Sequence, residues 1–190
     1  MYQKYQTDAL ILKSYEQGEA DKVFALYTYD FGLIRARASA VRTEKSKMRY
    51  ALQMYARANA GLIRGKRGWR LAGASATQSA AGGVASITAF ARISELVLRL
   101  VQGEEQNEYL FSALAGAHEA LMEHPYANQT AVEVVCVARV LFALGYLSAE
   151  ALESTLFTHT AYGMEHLEEA GSIQDELLSS INKAIAETQL

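Results

Sequence analysis

Ten cations carry the first signal in this chain of 190 residues. Arg35, Arg37, Arg42, Lys45, Lys47 and Arg49 fall within fifteen consecutive positions, and Arg64, Lys66, Arg67 and Arg70 follow as a second cluster. Cations grouped in this way neutralise phosphates, and each such contact releases counterions, so binding of this kind weakens steeply with salt. Tyr27, Tyr29, Tyr55 and Trp69 lie close by in sequence, and aromatic rings stack on bases of any identity. The bland alternative for the cations is a solvated basic face. For any single one of these aromatics, a place in the core is the better reading.

No catalytic constellation competes with this signal. The chain lacks a Gly-x-Ser-x-Gly elbow, a Walker A loop and a Gly-x-Gly-x-x-Gly turn. His118, His124, His159 and His166 contain no pair at the i, i+4 spacing of a helical metal site, and they read as surface or capping residues. Cys136 sits in the most apolar stretch and reads as an inert core thiol. Glu104/Glu105 and Glu168/Glu169 are adjacent pairs, which suits solvated helix ends. Glu19 and Asp21 bracket a tight turn, where Asp21 is expected to accept backbone N–H bonds. The expectation is a protein that is not an enzyme and needs no cofactor and no metal.

The charges are split along the chain. Residues 1–75 hold fourteen Lys/Arg against six Asp/Glu, a net +8, while residues 76–190 hold four against fifteen, a net −11. So sharp a change speaks of partners and of a domain boundary. A single cysteine cannot form an internal disulfide, and a reduced, cytoplasmic compartment follows. Met1-Tyr2-Gln3-Lys4 leads into no apolar run, so no signal peptide is expected. Residues 132–147 are broken by Glu133 and Arg139 and fall short of the ~20 that a membrane span needs.

The elements that must position the cations are strands. Residues 7–15 and 22–29 are rich in β-branched, Leu and aromatic side chains. Residues 33–41 alternate, with Leu33, Arg35, Arg37 and Ser39 on one face and Ile34, Ala36 and Ala38 on the other. Residues 42–49 are a polar, basic loop. Residues 51–63 read as a fourth strand, with helix as an alternative because of their alanines. Arg64-Gly65-Lys66-Arg67-Gly68 is a hairpin turn, and residues 69–77 close the set. Five short strands in this length suggest an OB-fold barrel. Residues 77–84 read as a small-residue linker. Helical spacing takes over at Ile87, Phe90, Ile93, Leu96, Val97 and Leu100 and continues over residues 109–122, where Pro125 is expected to end the helix. Residues 130–144 read as the central, most buried helix with Gly145 as its C-cap. Ser148 is expected to cap a short helix through Phe157, residues 158–171 to be irregular, and Ser172 to cap a last helix over 173–187. The division expected is a barrel over residues 1–78 and an all-α domain over 79–190.

Several runs resemble a known family. These are Thr7-Asp8-Ala9-Leu10-Ile11-Leu12-Lys13-Ser14, Gly18-Glu19-Ala20-Asp21-Lys22, Leu26-Tyr27-Thr28 and Phe31-Gly32-Leu33. In order, they look like the N-terminal OB domain of the bacterial RecO recombination mediators. Ala40-Val41-Arg42 onward to Lys47, and Leu52-Gln53, follow the same pattern. Leu141-Phe142-Ala143-Leu144-Gly145-Tyr146 and Ile181-Asn182-Lys183-Ala184-Ile185 resemble that family's helical domain. The likeness covers most of the chain and is best over residues 5–55.

The resemblance implies a non-enzymatic DNA-binding protein that anneals strands coated with single-strand-binding protein and helps RecR load RecA. Single- and double-stranded DNA, RecR and single-strand-binding protein are the implied partners. Many members carry a four-cysteine zinc site after the counterpart of Gly145-Tyr146. Residues 147–171 contain no cysteine here, so no metal is expected. The family's helical domain receives the acidic tail of single-strand-binding protein, which calls for cations beside an apolar pocket. Arg92, Arg99 and Arg139 are the cations available, and Arg139 best fits the pattern; a salt bridge within the bundle is its alternative. The expected DNA contacts are Arg35, Arg37, Arg42, Lys45, Lys47, Arg49, Arg64, Lys66 and Arg67. Barrel and charge alone leave an RNA-binding module open, and also an adaptor that docks through its acidic helices.

Overall fold

A computed structural model describes residues 3–123, 128–148 and 154–188. It divides into two compact units: Met1–Ala80 with Gln102–Asn107, and Ala81–Val101 with Glu108–Leu190. The first is a closed five-stranded barrel. Its strands are β1 (Lys4–Gln17), β2 (Asp21–Thr28), β3 (Gly32–Ala38), β4 (Arg57–Gly65) and β5 (Gly68–Gln78), with the short helix α1 (Met48–Ala51) between β3 and β4. The order around the barrel is β1-β2-β3-β5-β4, and β4 pairs back to β1. All neighbours are antiparallel except β3 and β5. This is the OB-fold architecture that the strand count and Gly-punctuated turns predict.

Closure depends on β1 serving two partners. Lys4–Leu10 pair with β4, and Ala9–Gln17 pair with β2. The β1–β2 register slips between Ile11 and Lys13, so Leu12 is an extra residue there. A bulge bends a strand and increases its twist, which lets β1 leave one neighbour and join the other. The interior is filled by alternate residues, including Ala9, Ile11, Phe24, Leu26, Ile34, Ala36, Leu62 and Leu71. Alanines from β3 and β4 interdigitate with the larger side chains from β1, β2 and β5, as a narrow barrel requires.

Two boundaries differ from the sequence reading. The basic stretch 42–49 ends by entering α1, and the strand expected from residue 51 begins only at Arg57. Of the two alternatives for residues 51–63 the strand holds, from Arg57 onward, whereas α1 takes only Ala51 of that span. Leu52 and Ala56 are buried in the barrel's core, and Tyr55 takes a positive φ of 61° to return the chain to β1 through its N–H to Ile11 O.

The second unit contains α2 (Val84–Leu100), α3 (Glu108–Glu123), α4 (Gln129–Ala143), a 3₁₀ turn (Thr155–Phe157), α5 (Met164–Ser172) and α6 (Gln174–Glu187). Helix α4 is central as expected and packs against all the others and the 3₁₀ turn. Its N-cap Asn128 accepts from the Ala131 N–H. At its other end Gly145, at φ 78°, donates to Phe142 O while Tyr146 donates to Leu141 O. That pair of bonds is a Schellman motif and bears out Gly145 as the helix stop. Residues 158–171 are not irregular throughout, because Met164–Ser172 form α5. Ser172 does not cap α6: its hydroxyl donates to Glu169 O, and Ile173 takes the cap position. The expected stop at Pro125 and most of the short helix after Ser148 lie outside the described residues. Among the described residues no helix is long and apolar enough to cross a membrane.

Candidate nucleic-acid interface

Register places the cations. Lys13 of β1 sits opposite Ala25 of β2, which sits opposite Arg35 of β3. In the next outward-facing row, Tyr15, Val23, Arg37, Arg70 and Ile63 follow one another across β1, β2, β3, β5 and β4. Over this sheet face lies a groove of about 770 Å³ lined by Arg35, Arg37, Lys66, Arg67 and Arg70, with Val23, Ile63 and Trp69 as its apolar part. No carboxylate is among its described lining residues. The alternation read from the sequence of β3 holds: Arg35 and Arg37 are exposed while Ile34, Ala36 and Ala38 are buried.

Arg37 is held in place. Its Nε and Nη2 both donate to Asp21 Oδ2, at 2.9 and 2.5 Å, and Asp21 Oδ1 accepts the Ala40 N–H at 2.7 Å. Asp21 thus caps a backbone amide as expected, although the amide belongs to the β3 end rather than to its own turn. The Ala40 N–H and the Arg37 guanidinium hold the Asp21 carboxyl below the usual carboxylate range. Ala40 has a φ of 54°, uncommon for a residue with a side chain, and the Asp21 bond is what fixes it.

The nine expected DNA contacts do not all converge. Arg35, Arg37, Lys66 and Arg67 meet in the groove, joined by Arg70. Arg64 stacks over the Trp69 ring at 5.0 Å and pairs with Glu104 at 3.1 Å. Arg42 and Arg49 line a separate cleft of about 320 Å³. Lys45 and Lys47 are exposed on the β3–α1 connection and line neither.

Among the aromatics, Tyr27 and Trp69 are core residues, 1 % and 4 % exposed, and Trp69 packs with Tyr5 and Phe31. Among the described residues of the barrel the exposed rings are Tyr15 and Tyr50, at 42 % and 65 %. Sequence reasoning passed over both. The signal for Tyr15 was present in the alternation Lys13, Tyr15, Gln17, which sets it on the outward face of β1 beside the cations of β3.

The helical unit corrects two further expectations. Arg139 is fully buried, so it offers no exposed cation to an acidic tail. Among the described residues its alternative, a salt bridge, is not found either. Nε donates to Leu156 O at 3.0 Å, Nη1 donates to Ala161 O at 2.9 Å, and the guanidinium lies 4.6 Å from the Tyr162 ring centroid. Arg139 ties the 3₁₀ turn and the segment after it to α4. His118 is not a surface residue: it is fully buried, edge-on to Phe90. Cys136 is the core thiol expected, and burial pushes its pKa up to about 12. Among the described residues no group of three or more His, Cys, Asp or Glu is arranged to hold a metal ion.

Comparison with known proteins places the barrel. The family model described as Recombination protein O N terminal matches residues 1–78. A DNA repair protein RecO of Dehalococcoides mccartyi is 31% identical over 120 residues, covering 62% of this chain and 47% of the relative. The protein of that name from Bifidobacterium animalis subsp. lactis is 29% identical over 147 residues, covering 75% and 61%. That from Gloeothece citriformis is 26% identical over 170 residues, covering 88% and 51%. The chain spans about half the length of the curated relatives it matches.

Proposed function

From a chain that belongs to the RecO family through its N-terminal barrel, we propose a non-enzymatic DNA-binding protein of recombinational repair that promotes strand annealing and recombinase loading. The observation that carries this reading is the convergence of Arg35, Arg37, Lys66, Arg67 and Arg70 on one groove without a lining carboxylate. Single-stranded DNA lies along that groove with its phosphates on the cations. Charge neutralisation then lets a second, complementary strand approach. The names of the relatives, each a DNA repair protein RecO, support DNA over RNA as the ligand. Contacts with RecR and single-strand-binding protein belong to the same proposal, with Arg139 acting as a structural tie rather than as a contact.

The test is oligonucleotide affinity against salt, followed by strand annealing with and without single-strand-binding protein. Single-stranded DNA should bind at low salt and weaken steeply as salt rises. The triple substitution Arg35→Gln, Arg37→Gln, Arg70→Gln should flatten the dependence of log K on log salt by about two units, at ~0.7 per phosphate contact. A flat salt dependence in the unaltered chain, or tighter binding to RNA of the same sequence, sinks the proposal.

A further inference from the structure

The β1–β2 hairpin carries a cavity on each of its faces. Gln17 and Val23 line the groove, whereas their chain neighbours Glu16 and Lys22, paired across the two strands, line the cleft. Successive side chains of a strand point to opposite faces, so the two cavities are separated by one sheet thickness and share no lining residue. The cleft lies between this hairpin and the stretch from Val41 through α1 to Met54.

Its construction is that of a site for one anionic group with an apolar body. The floor is Phe24, Val41 and Leu52, all buried core residues, with Met54 packed beside them. The rim holds three cations, Lys22, Arg42 and Arg49, against one carboxylate, Glu16, which Arg42 engages at 3.4 Å. Arg42 is further oriented by donating to Gly18 O at 3.2 Å. Arg49 lies 4.8 Å over the ring of the exposed Tyr50, and Gln53 donates to Arg49 O at 2.6 Å. Ser14 and Gln53 supply polar atoms at the wall. At about 320 Å³ the cleft is at the small end of ligand pockets and suits one nucleotide rather than the path of a strand.

We infer that this cleft is a second nucleic-acid site, which seats one unstacked base of a second single strand on Phe24, Leu52 and Met54 with its phosphates on Lys22, Arg42 and Arg49. The inference rests on the reading of the groove as the first site. The barrel then holds two strands at once, one on each face of a two-stranded ribbon and on the order of 10 Å apart, the thickness of a packed sheet layer. A pair of strands held so close is what annealing needs before base pairs form.

Native mass spectrometry of the full chain with an oligothymidylate of about ten nucleotides, within the site size of one OB-fold, tests it directly. Such strands cannot pair with each other, so each one bound reports a site. At low salt the chain should carry two. Lys22→Glu with Gln53→Glu reverses the charge balance of the cleft and touches no groove residue; this variant should carry one, with affinity for the second reduced more than tenfold. Arg35→Gln, Arg37→Gln, Arg70→Gln should instead weaken the first strand and retain the second. Circular dichroism establishes that both variants are folded. A wild-type chain that never exceeds one strand, or a cleft variant that still takes two, overturns the inference. So do amide shifts at Lys22 and Gln53 caused by an acidic peptide and not by oligothymidylate. If the single strand bound is lost with the groove variant, the groove reading stands and only this inference fails. If no strand binds at all, both fail.

Discussion

Tyr15 is the residue at which the proposed binding face is most open to a direct test. It is 42 % exposed and begins the row that runs through Val23, Arg37, Arg70 and Ile63, with the Lys13 ammonium 5.7 Å from its ring centroid. On the proposed reading such a ring stacks on a base as the strand leaves the groove. Tyr15→Ala should weaken single-stranded DNA by about 1–3 kcal/mol, while Tyr15→Phe, which keeps the ring, should bind as the parent does; fluorescence anisotropy at one fixed salt reads both. Asp21 acts differently, through the fold. Its carboxyl is held below its ordinary value of 3.8 by the Ala40 N–H and Arg37, so the stabilisation it provides is complete above that value and fades as pH falls through the lowered one. Asp21→Asn should therefore lower Tm at neutral pH and remove part of the acid-side slope of a Tm-against-pH curve. Residue roles were unequally legible in the sequence. The outward pointing of Arg35 and Arg37 follows from period-two alternation alone. The partition of Arg42 and Arg49 away from Arg35 does not, because it depends on how the chain turns at Ala40, where a left-handed φ stands without the glycine that would announce it.

At the scale of elements, glycines at turns separate local strain from packing. Gly18 and Gly32 both have positive φ, 66° and 61°. A Cβ on Gly18 would meet nothing within 4 Å, whereas on Gly32 it would lie 2.1 Å from Glu105 O. The 102–107 connection is thus laid directly on the β2–β3 turn, and its Glu104 also reaches Arg64 near the end of β4. Gly18→Ala should cost about 1–2 kcal/mol, the left-handed penalty alone. Gly32→Ala should cost clearly more, since the connection must also move; chemical denaturation of the two variants side by side measures the difference. In the helical unit the 3₁₀ turn is held twice. Glu169 of α5 accepts from the Ser154 and Thr155 hydroxyls and from the Thr155 N–H, and Arg139 of α4 donates to Leu156 O and Ala161 O. Arg139→Met leaves two carbonyls without their donor and should destabilise the chain by roughly 3 kcal/mol, at 1–3 for each buried group left unsatisfied. Helix α5 escaped the sequence reading for a physical reason: Met164–Ser172 is only nine residues long, its apolar stripe is just Met164, Leu167 and Ala170, and of these only Ala170 is buried, so tertiary bonds such as those of Glu169 help define it. Helices α2, α4 and α6, which do carry apolar faces, were legible.

For the whole molecule the informative quantity is the distribution of charge, because the net value hides it. The sequence pI is about 5.8, yet the basic residues gather in the first 75 positions and the groove that follows from them is lined by five cations. A short-range phosphate interaction responds to those five and not to the net −3, since at about 0.1 M salt charges more than ~10 Å away are largely screened. The chain should accordingly behave as an acidic protein on an ion exchanger near neutral pH and still bind single-stranded DNA. With five phosphate contacts at ~0.7 each, affinity should fall roughly a hundredfold between about 50 and 200 mM salt. The acidic half contributes a second, weaker dependence of opposite sign, because salt also screens its repulsion of the DNA. The full chain should therefore show a shallower slope than five contacts alone predict at the lowest salt, where the screening length approaches ~30 Å, and should converge on the five-contact slope above ~0.1 M. Titrations at five or more salt concentrations resolve that curvature. A straight line of slope near −3.5 throughout would mean that the acidic half is electrostatically silent toward the bound strand, and a slope near zero would remove the groove from the account of binding altogether.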